Sequence, residues 1–145
     1  MKRLTHIEIC NGHDKRVQIE AFYEAEGRNI EVRGSDLFFI AYSGKSILGC
    51  VRFCIEHDVP MLRTMRVAQD FQRQDVGSEL LRRFVLHLND QDIHNTYCLP
   101  YSQLEKFYGS MGFKKISAEE TPEFLRARIS ENAKKGNELI CMRRD

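Results

Sequence analysis

Residues Gln72-Arg73-Gln74-Asp75-Val76-Gly77-Ser78 join two runs of opposite periodicity. Residues 61–67 read as a strand, and the apolar spacing that begins at Val76 reads as a helix. A strand that turns directly into a helix makes an anion site. The N–H groups of a first helical turn lack intrahelical partners, and the helix dipole favours negative charge beside them. Gly77 permits close backbone approach, and the Ser78 hydroxyl can bond locally or to a phosphate oxygen. The ligand that suits this chemistry is a pyrophosphate, and with it a nucleotide-like cofactor.

A second group of residues follows about thirty positions on: Phe107-Tyr108-Gly109-Ser110-Met111-Gly112-Phe113. An aromatic pair ends a short helix there, and Gly-Phe opens the next strand. Together with Met65-Arg66-Val67, Gln72-x-x-Asp75-x-Gly77 and Leu80-Leu81, this order resembles the signature of the Gcn5-related N-acetyltransferases. The likeness covers residues 37–113 by motif and the two ends by layout. The family pattern is Gln or Arg, two residues, Gly, one residue, then Gly or Ala. Here Asp75 stands where the first glycine belongs, and Asp tolerates the unusual backbone that position needs better than most residues.

The resemblance implies an α/β (α+β) fold in one domain spanning residues 1–145. It has a mixed, mostly antiparallel sheet of about seven strands flanked by helices. Two neighbouring parallel strands, ending near Val67 and Leu99, splay into a V that admits acetyl-CoA. It also implies roles for residues. Backbone N–H groups at Met65, Arg66 and Val67 would meet the acetyl carbonyl, and amides of Gln72, Arg73, Gln74, Asp75, Val76, Gly77 and Ser78 the pyrophosphate. Tyr108 would protonate the departing thiolate, a task that suits a phenol at neutral pH. Tyr101 takes a place where many members carry an asparagine near the cofactor. The acceptor would be a primary amine. The other reading the residues allow is an acyl-CoA-binding sensor of the same fold without turnover.

An amine of pKa ~10.4 is only about 0.04% neutral at pH 7, so a base or a water chain must take its proton. The strand that would face the substrate carries Met61, Arg63, Thr64 and Arg66, none of them a good base. Glu56, His57 and Asp58 lie at the mouth of a turn and read better as solvated surface, and a water chain serves as well as any of them. Arg52 bears on the acceptor. On an alternating strand it shares a face with Cys50 and Cys54, while Val51, Phe53 and Ile55 take the other. If the turn pairs Ile55 with Pro60, Arg52 lies opposite Arg63; a one-residue slip makes Arg66 its diagonal neighbour. Like charges so placed cost stability. An anionic group of the acceptor between Arg52 and Arg63 would explain them, as would separate carboxylates of the protein.

Composition narrows the classes. The 145 residues carry a net charge of +1 with acids and bases interspersed, which gives no reason to expect a nucleic acid partner. No apolar run approaches the ~18 residues of a membrane span, and residues 1–6 lack the apolar core of a signal peptide. A cytoplasmic protein, monomer or homodimer, is expected. Its five cysteines read as reduced, apolar-like thiols. No spacing suits a metal. Gly44-Lys45-Ser46 lacks the earlier glycine of a phosphate loop and reads as a hairpin turn.

The elements that must position these residues follow from periodicity and punctuation. A strand over 4–10 leads to a helix capped by Asn11 and running to about Glu26, with Val17, Ala21, Phe22 and Ala25 inward. Strands over 37–42, 47–55 and 61–67 form an antiparallel meander. The next helix shows the clearest stripe: Val76, Leu80, Leu81, Phe84, Val85 and Leu88. Residues 93–99 predict a strand, Ser102 caps a short helix to about Ser110, and 113–117 resume the sheet. Pro122 opens a further helix to about Gly136, and 139–142 supply the last strand. The resemblance extends to that extra helix, met in members with a proline at the Pro100 position.

Overall fold

The structure is a computed structural model that describes residues 3–72 and 74–145. Among them the strands are β1 His6–Asn11, β2 Leu37–Ser43, β3 Ser46–Glu56, β4 Val59–Val67, β5 Thr96–Cys98, β6 Lys114–Lys115 and β7 Met142–Arg144. The helices are α1 Arg16–Ala25, α2 Val76–Asp90, α3 Glu105–Gly109 and α4 Glu123–Lys134. One seven-stranded sheet runs in the order β1-β2-β3-β4-β5-β7-β6. Every pairing is antiparallel except β4 with β5. This is the mixed, mostly antiparallel sheet expected.

Side-chain alternation divides the core between the two faces of the sheet. Phe39, Ala41, Val51, Phe53 and Leu62 face α2, which buries Val76, Leu80, Leu81, Phe84, Val85 and Leu88, and Tyr108 of α3 joins the same cluster. Phe38, Ile40, Tyr42 and Cys50 face the other way and meet Ile19 and Tyr23 of α1. Farther along that second face, Cys54, Met61 and Cys141 meet Leu125 of α4. Thus α2 and α3 cover one face while α1 and α4 cover the other.

The stripe of α2 is buried as its spacing predicts, because fifteen residues with one apolar face leave a single way to pack. The first helix differs. It starts at Arg16 without a side-chain cap from Asn11, Val17 is 76% exposed, and Ala21 and Ala25 are exposed too. The buried residues are Ile19 and Tyr23. Ten residues with apolar side chains on several sides do not choose a face, and a tyrosine can be buried here because its hydroxyl finds a partner on β4. The later strands are shorter than expected, three residues in β5 and two in β6. The last one begins at Met142, with Leu139 making an isolated bridge to Tyr101. Pro122 is the residue just before α4, and Ser102 starts a single 3-10 turn without capping it through its side chain.

Residues His57 and Asp58 both have positive φ, 49° and 63°, and close a two-residue hairpin of the twist-compatible kind. This sets Ile55 opposite Pro60 and Arg52 opposite Arg63. Gly44, at φ 58°, turns the β2–β3 hairpin. All five cysteines are free, and four of them are buried. Among the described residues there is no cluster suited to a metal, and no helix is long and apolar enough to cross a membrane.

Candidate active site

The parallel ladder between β4 and β5 consists of a single bridging pair, Met61 with Tyr97. Beyond it β4 continues for six residues while β5 ends at Cys98. The two strands therefore part at the level of Arg63, and the sheet opens there. Across the opening β4 is distorted. Cys50 pairs with Arg66 and Arg52 with Arg63, so Thr64 and Met65 together oppose Val51 in a β-bulge. Thr64 has φ 55°, uncommon for a β-branched residue. Tyr23 holds it: the phenol donates to the Thr64 carbonyl at 2.7 Å and lies 3.3 Å from its Oγ1. Tyr23 is fully buried. The bulge makes both expected neighbours of Arg52 real at once, Arg63 directly opposite and Arg66 diagonal.

The turn after β4 is tied back to the strand. The Gln72 side-chain amide donates to the Val67 carbonyl at 3.1 Å, and the Ala68 N–H donates to Leu48 at 2.8 Å. Asp75 precedes α2 with φ 63° and ψ 10°, the left-handed conformation for which the motif uses glycine. Its side chain makes no cap and is exposed. The Glu79 N–H to the Asp75 carbonyl, 3.0 Å, closes the first turn, so the amides of Val76, Gly77 and Ser78 form the helix N-terminus. The backbone the motif needs is thus present without the glycine. Gln74 is exposed and its N–H donates to Phe71 at 3.3 Å, so that amide already has a partner within the turn. Arg73 lies outside the described residues.

The two sequence motifs meet at this helix end. A Cβ added to Gly77 would lie 3.5 Å from Val67 Cγ2 and 3.6 Å from Phe107 Cζ. Tyr108, next to Phe107, is buried, with its ring edge-on to Phe107 and Phe113. Its hydroxyl has no hydrogen-bond partner among the described residues. Burial, reinforced by the nearby Cys98, pushes its pKa above the usual phenol range, so it stays protonated. Tyr101 is half-buried at the far side of the opening, in its bridge to Leu139.

On the α1/α4 face the arginines are not bare. Arg52 Nη1 stands 3.4 Å from Asp36 Oδ2, Arg63 Nη1 2.7 Å from Glu56 Oε1, and Arg66 Nε 3.0 Å from Glu26. Each arginine thus reaches a different acid, the alternative that the sequence left open. Arg128 of α4 takes the other Glu56 oxygen at 2.8 Å. Burial alone would raise Glu56, but hydrogen bonds from Arg128 and Arg63 outweigh it and bring the carboxyl down to about 2. It is a poor base. His57 is exposed and stacks on Phe124 at 4.3 Å. Asp36, Arg128, Tyr23 and Thr64 carried no motif: they come from four different elements, and their only signal in the chain is that each is polar within an otherwise apolar or helical run.

An open mixed sheet with a helix N-terminus at its splay is the layout that the two sequence motifs imply. The sequence matches the model of the acetyltransferase (GNAT) domain over residues 34–115, and the chain belongs to that family, whose co-substrate is acetyl-CoA. Solved structures share the fold. A putative N-acetyltransferase from Lactobacillus plantarum superposes with a TM-score of 0.72 at 12% identity, covering 98% of each chain. N-acetylglutamate synthase from Neisseria gonorrhoeae, in complex with coenzyme A and N-acetyl-glutamate, gives 0.70 at 19% identity. The match covers 98% of this chain and 35% of that one, so this chain spans about a third of that enzyme's length. The ribosomal-protein-S18-alanine N-acetyltransferase from Escherichia coli gives 0.67 at 17% identity, covering 96% and 93%. Among curated proteins no sequence relative matches.

Proposed function

We propose that this protein transfers an acetyl group from acetyl-CoA to a primary amine by direct attack. The observation that carries the reading is a convergence. The α2 N-terminus, the end of β4 that β5 leaves open and the aromatic pair of α3 come together where the sheet opens. In this reading the pyrophosphate rests on the amides of Val76, Gly77 and Ser78, with Gln72, Gln74 and Asp75 in the turn beside it. Within Met65, Arg66 and Val67, an N–H turned away from β3 meets the acetyl carbonyl, and Tyr101 lines the β5 side.

The reaction forms a C–N bond as the neutral amine attacks the thioester carbonyl, and breaks the C–S bond as the tetrahedral oxyanion collapses. The proton of the nascent ammonium leaves through water, since two arginines make the Glu56 carboxylate too weak a base to take it. Tyr108 supplies the proton that the thiolate takes, and solvent restores the phenol. Arg52 and Arg63 face the acceptor. The protein works in the cytoplasm as a monomer or homodimer; its five free thiols fit that compartment.

The sensor reading draws on one observation: Glu56, the carboxylate on β3, is tied up by Arg63 and Arg128. Two measurements on the same protein separate the readings. Calorimetry with acetyl-CoA should show binding, and free CoA should appear when a panel of primary amines is added. Binding with no release for any amine would leave a sensor, and no binding would end both readings.

A further inference from the structure

The two edges of the sheet differ in kind. The edge strand β6 is two residues long and both are exposed lysines, which discourages a further strand from pairing there. At the other edge β1 runs for six residues with neither lysine nor proline. The Gly12 N–H donates to the Asp36 carbonyl at 2.9 Å, in line with the Cys10–Phe38 and Glu8–Ile40 pairs. Backbone groups alternate in direction along an antiparallel strand, so Glu8 and Cys10 turn theirs toward β2. Those of Ile7, Ile9 and Asn11 turn outward, to a flank that no strand covers among the described residues.

Side chains beside this edge form a groove of about 310 Å³ between β1 and α2, lined by Ile9, Arg82, Arg83, Leu86, His87 and Asp90. Large apolar side chains are seldom left in water, yet here Ile9 is 39% exposed and Leu86 42%. The direction of α2 over the sheet follows from its contacts. Leu80 packs at Gly49, which pairs with Ala41 and through it lies level with Ile7. His87 packs on Phe39, opposite Ile9, and on Phe53, level with Asn11. So α2 runs parallel to β1, with Arg83 toward Ile7, Asp90 toward Asn11 and Leu86 between them. Arg82 is paired with Glu79, but Arg83 and Asp90 make no ion pair among the described residues. The groove thus has an apolar middle and opposite free charges at its two ends.

Such a surface complements itself under a two-fold rotation, which reverses the strand and keeps its faces. Residues opposite each other then share a face, so the axis passes through one residue of β1. Through Glu8 it would set two carboxylates directly opposite, a costly pair. Through Cys10 it would set the apolar Ile9 against Asn11. Through His6 or Ile7 it would bring Arg83 toward its own copy, and through Asn11 it would do the same to Asp90. Through Ile9 every pairing is favourable. The outward backbone groups of Ile7, Ile9 and Asn11 meet, Leu86 lies beside Leu86 of the partner subunit, and Arg83 approaches Asp90 of the partner subunit, twice by symmetry. We infer that β1 is the contact of a homodimer, in which two copies pair antiparallel about Ile9 and join their sheets into one. Since β1 is three strands from β4, this contact is separate from the opening of the sheet and does not depend on the transferase reading.

Sedimentation equilibrium on the full chain reads the association, and amide hydrogen exchange locates it. At about 100 μM the parent should sediment at twice the mass of one chain. The amides of Ile7 and Ile9 should exchange more slowly as its concentration rises, because pairing occupies them. Ile9→Lys sets two ammonium groups at the axis and should give a monomer with the parent's helix content. If that variant fails to fold, Leu86→Lys, on the exposed side of α2, replaces it with the same expectation. Arg83→Glu and Asp90→Lys should each weaken the dimer about tenfold, since symmetry replaces two ion pairs at once by like charges. The double variant, with the charges exchanged, should return to within about threefold of the parent. A parent that stays monomeric at that concentration overturns the inference. So does a dimer that survives Ile9→Lys, a dimer whose Ile7 and Ile9 amides exchange as fast as in the monomer, single charge variants as tight as the parent, or a double variant no tighter than the singles.

Discussion

Gly77 and Phe107 are thirty residues apart in the chain, yet a methyl group on Gly77 would sit 3.6 Å from the Phe107 ring. That spacing is ordinary van der Waals contact, and the protein itself leaves room for one carbon there. Gly77→Ala should therefore fold, and be more stable by roughly 0.5–1 kcal/mol from helix propensity, with acetyl-CoA affinity within about threefold of the parent. Gly77→Pro also suits a first helical turn but removes a donor amide, and it should abolish binding by calorimetry. Equal affinity in the proline variant, with helix content intact, would dismiss the pyrophosphate site.

Asp75 adopts a left-handed backbone that glycine adopts at no steric cost. Asp75→Gly should bind acetyl-CoA as tightly as the parent or tighter, because it removes a negative charge beside the site. Asp75→Val places a β-branched residue at φ 63° and should lower stability by about 1–2 kcal/mol in urea titration. A large loss of affinity in the glycine variant would show that the carboxylate itself takes part in binding.

Tyr108 has no hydrogen-bond partner among the described residues, so Tyr108→Phe should melt within a few degrees of the parent. Its kcat should fall by about 10²–10⁴, the usual contribution of a general acid, with acetyl-CoA affinity nearly unchanged. Since burial raises its pKa, the kcat profile of the parent should show no descending limb near pH 10 from this residue. Full turnover in the phenylalanine variant would make Tyr108 a packing residue.

Glu56 is depressed from 4.5 to about 2 by Arg128 and Arg63 against the opposing effect of burial. A lowered carboxylate pKa means the unfolded chain takes up the proton first. Its stabilisation is thus present in full above about pH 4.5 and lost as pH falls toward 2. Asp36 has the opposite sign, because burial raises it despite Arg52 and its ionised form disfavours the fold. Glu56→Gln should destabilise by on the order of 3 kcal/mol at pH 7 and by far less at pH 3. Urea midpoints at the two pH values would show this, and an equal loss at both would rule out the charge as the cause.

Much of this protein is legible in its sequence because the decisive signals are local. The six buried residues of α2 follow from one stripe of spacing. The strand–turn–helix at Gln72–Ser78 follows from adjacent runs of different period, and the turn near Asp58 narrows the β3–β4 pairing to two registers, one of them the observed Ile55–Pro60. Even Asp75 in place of glycine could be anticipated, since the αL conformation is a property of single residues.

Other features depend on residues far apart in the chain. The face that α1 buries was settled by a hydrogen bond from Tyr23 to Thr64, forty-one residues away, and no periodicity within ten residues contains that partner. The bulge at Thr64 and Met65 arises because β4 must follow β3 on one side while parting from β5 on the other. The sequence brought Arg52 onto one face with Arg63 or Arg66 in either register of the turn, since alternation is enough for that. Only the tertiary structure decided that Asp36, Glu56 and Arg128, from a loop, a strand end and a late helix, would close around them. Charge pairing acts through space at a few ångströms, and which charges come that close is fixed by how the sheet's two layers of helices pack, not by where they stand in the chain.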